Sequence, residues 1–244
     1  CGTNFTWGVR AFGPKAGWIA GWGCIVADLV IMPNLAGVSG QYLVLLFSET
    51  AAENIYLTTF IGILFIIGMT WICWKGIELS ARSQVLLLGT ELIVLAVFAV
   101  IAFSKALGGG IERTIDGVTY RSVKPSLSWM SPAGVPSSAI IAGLVVAVFI
   151  YWGWDTCVSV NEEAKDSAKT PGRAAVLSTV ILLAIYLVTS YGSVALLGPE
   201  FVTANADEAI YELGKVALPT WMVKLLVIAV LTSAAASCQT TILP

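Results

Sequence analysis

The sequence contains no histidine. That absence excludes histidine metal centres, Ser–His nucleophilic catalysis and imidazole pH switches, and it leaves any proton traffic to carboxylates. Charge is scarce as well. Asp, Glu, Lys and Arg make up 11% of the 244 residues, against about 25% in an ordinary soluble domain. So few charges cannot coat a surface that faces water on all sides. The formal net charge is −2, and no basic tail or stripe of the kind that binds nucleic acid is present. The five cysteines, Cys1, Cys24, Cys73, Cys157 and Cys238, share no CxxC spacing. They read as small hydrophobes rather than as a disulfide or metal framework. Gly108-Gly109-Gly110 is followed by no Lys-Ser/Thr, and Gly37-Val38-Ser39-Gly40 is not a nucleophile elbow. No enzyme signature is found, and no cofactor is expected.

What is abundant is apolar length: 57% of the residues are hydrophobic. A bilayer core about 30 Å thick is crossed by about 20 apolar residues in a helix. Six such spans can be marked, at roughly 17–47, 55–74, 84–103, 138–160, 173–197 and 217–242. Unpaired backbone groups cannot face hydrocarbon, so each span must be helical. The expected fold is all-α, a polytopic transmembrane helix bundle in a single domain, with the bilayer as its solvent. The first span is longer than one crossing needs and contains Pro33, which predicts a kink or strong tilt. Gly13, Gly17 and Gly21 stand four apart, a spacing that permits close helix packing. In the long connection 104–137, the run Arg113-Thr114-Ile115 and Val118-Thr119-Tyr120 around Asp116-Gly117 predicts a β-hairpin.

The loops suggest an orientation. Segments 1–16, 75–83 and 161–173 hold seven of the thirteen Lys and Arg residues and are assigned to the cytoplasm by the positive-inside rule. Connection 104–137 is then extracellular, and Asn4-Phe5-Thr6 lies on the side where glycosylation does not occur. The expected location is the plasma (cytoplasmic) membrane, with multiple passes. The first residue is Cys1 and the last is Pro244, directly after an apolar run. Both ends are expected to continue into a longer protein.

Three acids fall within apolar spans, where a charge costs at least about 2.5–3.5 kcal/mol and marks a functional position by default. Asp155 follows Phe149-Ile150-Tyr151-Trp152-Gly153-Trp154. Gly153 there can break the helix, exposing backbone groups that bind ions and zwitterions in transporters. Asp28 lies midway along the first span and Glu91 about two turns into the third. The last span carries Thr232, Ser233, Ser237, Thr240 and Thr241. Such hydroxyls bond either their own backbone or an ion or substrate.

At this point the sequence resembles the amino acid–polyamine–organocation (APC) superfamily of permeases. The resemblance rests on Gly153-Trp154-Asp155, on Asn161-Glu162-Glu163 and on Lys169-Thr170-Pro171-Gly172-Arg173. It rests also on RAFGPKAGWIAGW at 10–22 and LTSAAASCQTTILP at 231–244. It covers the whole chain as helices three to eight of a usual twelve. It implies part of a five-plus-five inverted repeat working by alternating access, as a symporter or antiporter of amino acids or polyamines. On that resemblance, Phe149, Ile150, Tyr151, Trp152 and Gly153 line the substrate site. Asp155 sits just inside it, and Asp28 faces the same cavity. Glu91, Ser233 and Ser237 are the expected ion-coupling positions, for H+ or Na+. Some relatives carry a lysine near Glu91, so the acid departs from the pattern and leaves the coupling ion open. The superfamily's broken first helix has no counterpart here, so the chain by itself is not expected to transport. The alternative is a receptor or scaffold that keeps the fold, which a polar, substrate-sized cavity at Tyr151–Asp155 would disfavour.

Overall fold

The computed structural model describes residues 3–115, 117–151, 153, 158, 164 and 166–242. Its helices are α1 (Asn4–Phe12), α2 (Pro14–Leu45), the single turn α3 (Glu49–Ala52), α4 (Ile55–Trp74), α5 (Ile77–Leu107) and α6 (Ser137–Ile150). After these come α7 (Thr170–Ala204), α8 (Ala209–Ala217) and α9 (Thr220–Thr240), and the strands β1 (Glu112–Ile115) and β2 (Val118–Arg121) lie between α5 and α6. Five helices, α2, α4, α5, α7 and α9, are long and apolar enough to cross a membrane. The chain is a polytopic helical membrane protein.

Local chemistry sets the boundaries. Gly13 takes φ +92 and Pro14 opens α2. Proline suits a helix's first turn, because its missing N–H would be unpaired there anyway. Ser48 accepts from Ala51 N–H to start α3, and Asn54 accepts from Tyr56 and Leu57 N–H to start α4. Each cap satisfies donors that the first turn leaves orphaned. α2 passes through Pro33 as one continuous element of 32 residues.

The fourth span differs from its expected extent of 138–160. α6 stops at Ile150 after 14 residues. At 1.5 Å per residue this is about 21 Å, short of a bilayer core. Residues 154–157 lie outside the described residues.

Two compact units divide the chain. The first holds residues 1–91, 153–178 and 227–244. In it, α2 crosses α4 at near backbone contact. A Cβ on Gly40 would run into the Thr58 carbonyl oxygen and the Gly62 nitrogen, and one on Gly62 would lie 2.9 Å from the Ala36 carbonyl oxygen. Gly17 and Gly21 of the expected stripe pack on α1, against Phe5 and Val9, whereas Gly13 is a cap.

The second unit holds residues 92–152 and 179–226. Its core is Phe98, Ala102, Leu196, Leu197, Phe201, Leu213, Ala217 and Leu226. Leu213 and Ala217 come from α8, which folds within the connection between the last two apolar spans, where Glu200, Asp207, Glu208 and Glu212 stand. The expected hairpin is present, with Ile115 opposite Val118 and Gly117 at φ +80. It is tied to the end of α7 for a traceable reason. Pro199 has no N–H to offer the Ala195 carbonyl, and Gly198 leaves helical geometry at φ 84, ψ 164. The Val123 N–H bonds the Ala195 carbonyl at 2.9 Å instead, and the Ser122 hydroxyl donates to the Leu196 carbonyl at 2.7 Å. Tyr120 meets Phe201 edge-to-face at 5.1 Å.

Candidate functional site

The expected site residues divide between the units: Phe149, Ile150 and Tyr151 fall in the second, and Gly153, Asp28, Glu91, Ser233 and Ser237 in the first. The first group is the end of α6. An apolar run continuing from Ala147 would carry the helix onward, yet it ends at Ile150, and Tyr151 takes φ −94, ψ 2. Gly153 then adopts φ +100 with open space around its Cα, so conformation and not crowding demands glycine there. The end is held from α7. The Tyr186 hydroxyl donates to the Ile150 carbonyl at 3.1 Å, and the Tyr186 ring meets Tyr151 edge-to-face at 5.6 Å. A carbonyl released by a helix end needs a partner when water is scarce, and Tyr186 supplies one. Phe149 is 52% and Ile150 38% exposed. Trp152 and Asp155 lie outside the described residues, as does most of the cavity expected at Tyr151–Asp155.

The second group lies in the first unit. Glu91 of α5 is half-buried, and Ser233 of α9 lies beside its carboxyl. The sequence marked both residues as ion-coupling positions, and the fold brings them together. Ser237, one turn further along α9, is half-buried. Three other hydroxyls of that face serve their own helix. Thr232 donates to the Ala229 carbonyl at 3.0 Å, Thr240 to Ser237 at 2.9 Å and Thr241 to Cys238 at 2.8 Å. Ser233 is thereby singled out from its neighbours. Asp28 is half-buried on α2 and engaged in a polar interaction.

The second unit also contains a cavity of about 450 Å³ lined by Val123, Trp129, Ser190, Tyr191, Val194 and Pro199. Among the described residues this wall carries no charged side chain; its polar side chains are Ser190 and Tyr191, and the Tyr191 hydroxyl is buried without a hydrogen-bond partner.

Comparison with known proteins decides the family. The model of a family described as "amino acid permease" matches residues 1–243. The chain belongs to the amino acid permease family. Among the relatives of this permease, a Mycobacterium tuberculosis protein named an uncharacterized transporter is 25% identical over 222 residues. That match covers 91% of the chain and 44% of the relative. The Asc-type amino acid transporter 1 of Mus musculus is 22% identical over 216 residues, covering 84% of the chain and 37% of the relative. The permease chain therefore spans less than half the length of either. No solved structure matches it.

Sequence reasoning missed Tyr186. Its signal was available only as a polar tip within an apolar span: Gly153 suggests a break, but nothing in the sequence pairs the end of that helix with Tyr186.

Proposed function

We propose that this permease is a secondary active transporter that carries amino acids across the plasma membrane by alternating access, coupled to protons or sodium. The observation that carries the reading is the family match over residues 1–243. Local geometry supports it. A helix that stops part-way through an apolar span leaves directional backbone groups, and such ends hold the charged groups of substrates in transporters. In this reading Phe149, Ile150, Tyr151, Trp152 and Gly153 contact substrate, Asp155 binds its ammonium group or a coupled cation, and Asp28 supplies a further acid. Three intramembrane acids in a chain without histidine favour cationic amino acids, and extend the reading to polyamines. Glu91 with Ser233 is the coupling site, and Ser237 is a further hydroxyl on the same helix. Segments 1–16, 75–83 and 161–173 face the cytoplasm.

The test is uptake of radiolabelled amino acids and polyamines into proteoliposomes containing full-length protein, with and without a pH gradient, beside an Asp155→Asn variant. Saturable uptake that Asp155→Asn weakens is the expected result. Wild-type uptake by that variant would remove Asp155 from the site.

A further inference from the structure

We infer that Gln239 is a positioning residue: it sets the register of α9 on α5 that places Ser233 against Glu91. The inference takes the Glu91–Ser233 coupling site from the reading above and adds to it a residue that touches neither member.

Gln239 is fully buried, and its carboxamide is saturated by α5. Its Nε2 donates to Ser80 Oγ at 2.8 Å and to the Ser80 carbonyl at 3.4 Å. Its Oε1 accepts from Gln84 Nε2 at 3.0 Å and lies 3.0 Å from Ser83 Oγ, whose single proton is shared with the Ser80 carbonyl at 2.7 Å. Gln84 Nε2 reaches the Ala236 carbonyl as well, at 2.8 Å. All these residues belong to the first compact unit.

The pairings run antiparallel along one seam. Ser80 and Gln84 meet Gln239, and Glu91 meets Ser233. From Gln84 to Glu91 is seven residues, two turns or about 10.5 Å, and from Gln239 back to Ser233 is six. The two sites therefore share one register. Between them α9 buries Ala234, Ala235, Ala236 and Cys238. None of these buried side chains is large enough to act as a knob against sliding. A slip of one turn, about 5.4 Å, would present Ala229 or Ser237 to Glu91 in place of Ser233. Such a slip would break the Gln239 network inside an apolar environment, where unmade hydrogen bonds are costly. A single buried polar side chain is the best-attested device for fixing helix register.

The other charged side chains of these helices are remote or occupied. Glu78 and Arg82 of α5 pair with each other. Lys105 of α5 and Lys224 of α9 lie fourteen residues from Glu91 and nine from Ser233 along their helices, and α4 carries none.

The experiment reads Glu91 directly, without transport. Reconstituted full-length protein is treated with dicyclohexylcarbodiimide across a pH series. A protonated carboxyl adds across the carbodiimide to give an O-acylisourea, which rearranges to a stable N-acylurea with nothing released. Mass spectrometry follows that adduct on the Glu91 peptide, with Glu91→Gln as blank. Ser233→Ala is expected to move the proton concentration at half-labelling by about fivefold, the factor for a hydrogen bond of about 1 kcal/mol at 1.4 kcal/mol per tenfold. Gln239→Leu should move it in the same direction by about twofold or more. Ser83→Ala removes the hydroxyl shared by the Ser80 carbonyl and Gln239 Oε1; it should shift the midpoint likewise, and it carries the test if Gln239→Leu does not fold. A wild-type midpoint in folded Gln239→Leu or in Ser83→Ala, beside a shifted Ser233→Ala, overturns the inference. So does an unshifted Ser233→Ala. The coupling reading fails separately, if Glu91→Gln retains gradient-driven uptake.

Discussion

The α2–α4 crossing makes a sharp prediction about two glycines three residues apart. Gly40 faces α4 so closely that a Cβ would enter the Thr58 carbonyl oxygen and stand 2.9 Å from the Gly62 nitrogen. Both obstacles are backbone, so no rotamer change relieves the clash and the helices must separate. Separation would also loosen the contacts of Ala36 and Ser39, both buried on α2. Overpacking of this kind costs about 1–3 kcal/mol. Gly37 lies on the same helix with nothing within 4 Å of a Cβ. Alanine there should be neutral or stabilise by up to about 1 kcal/mol, its advantage over glycine inside a helix. Gly40→Ala should therefore be less stable than Gly37→Ala by roughly 1–4 kcal/mol. Thermal inactivation of the two variants in one detergent, followed by monodisperse elution after heating, reads the difference. Equal midpoints would refute the close crossing.

Other outcomes follow from the same contacts. Tyr186→Phe keeps the edge-to-face packing on Tyr151 and removes the donor to the Ile150 carbonyl; it should reduce uptake about fivefold, the factor for one hydrogen bond, with thermal stability within a few degrees of wild type. Ser122→Ala leaves the Leu196 carbonyl without its side-chain donor and should lower stability by about 1–3 kcal/mol, measured by denaturant or heat. Leu213→Ala empties a fully buried position of the second unit and should destabilise by about 2–5 kcal/mol, showing that α8 belongs to a packed core.

Much of this was legible in the sequence because hydrocarbon leaves few alternatives. Long apolar runs had to be helices, and the runs around Pro14–Leu45, Ile55–Trp74 and Thr220–Thr240 announced themselves by composition alone. Asp116-Gly117 announced the hairpin through turn chemistry. The cost of an intramembrane acid drew attention to Glu91 before its partner was known. What stayed hidden depends on tertiary pairing. Gly153 signals a possible break in the fourth span, but the stop at Ile150 itself involves Tyr186 of α7, which no local pattern links to it. Gly40 and Gly62 look like ordinary membrane glycines until their helices cross. Pro199 and Val123 are 76 positions apart in sequence, and only the folded chain shows Val123 making the hydrogen bond to Ala195 that Pro199 cannot. The α8 helix, whose Tyr211 and Leu213 are buried beside exposed polar neighbours, was masked by the acids of its own connection.

The central claim, that this permease moves amino acids through a site at the broken end of α6, is tested most directly by uptake into proteoliposomes with Gly153→Ala beside wild type. Gly153 holds φ +100 with room around it, so alanine there strains the backbone without a clash, at about 1–3 kcal/mol. The account predicts saturable uptake by the wild-type full-length protein and about a tenfold or greater loss in the variant, the factor for 1.4 kcal/mol. Absence of saturable uptake of every amino acid tried by folded wild-type protein, or undiminished uptake by Gly153→Ala, would contradict it.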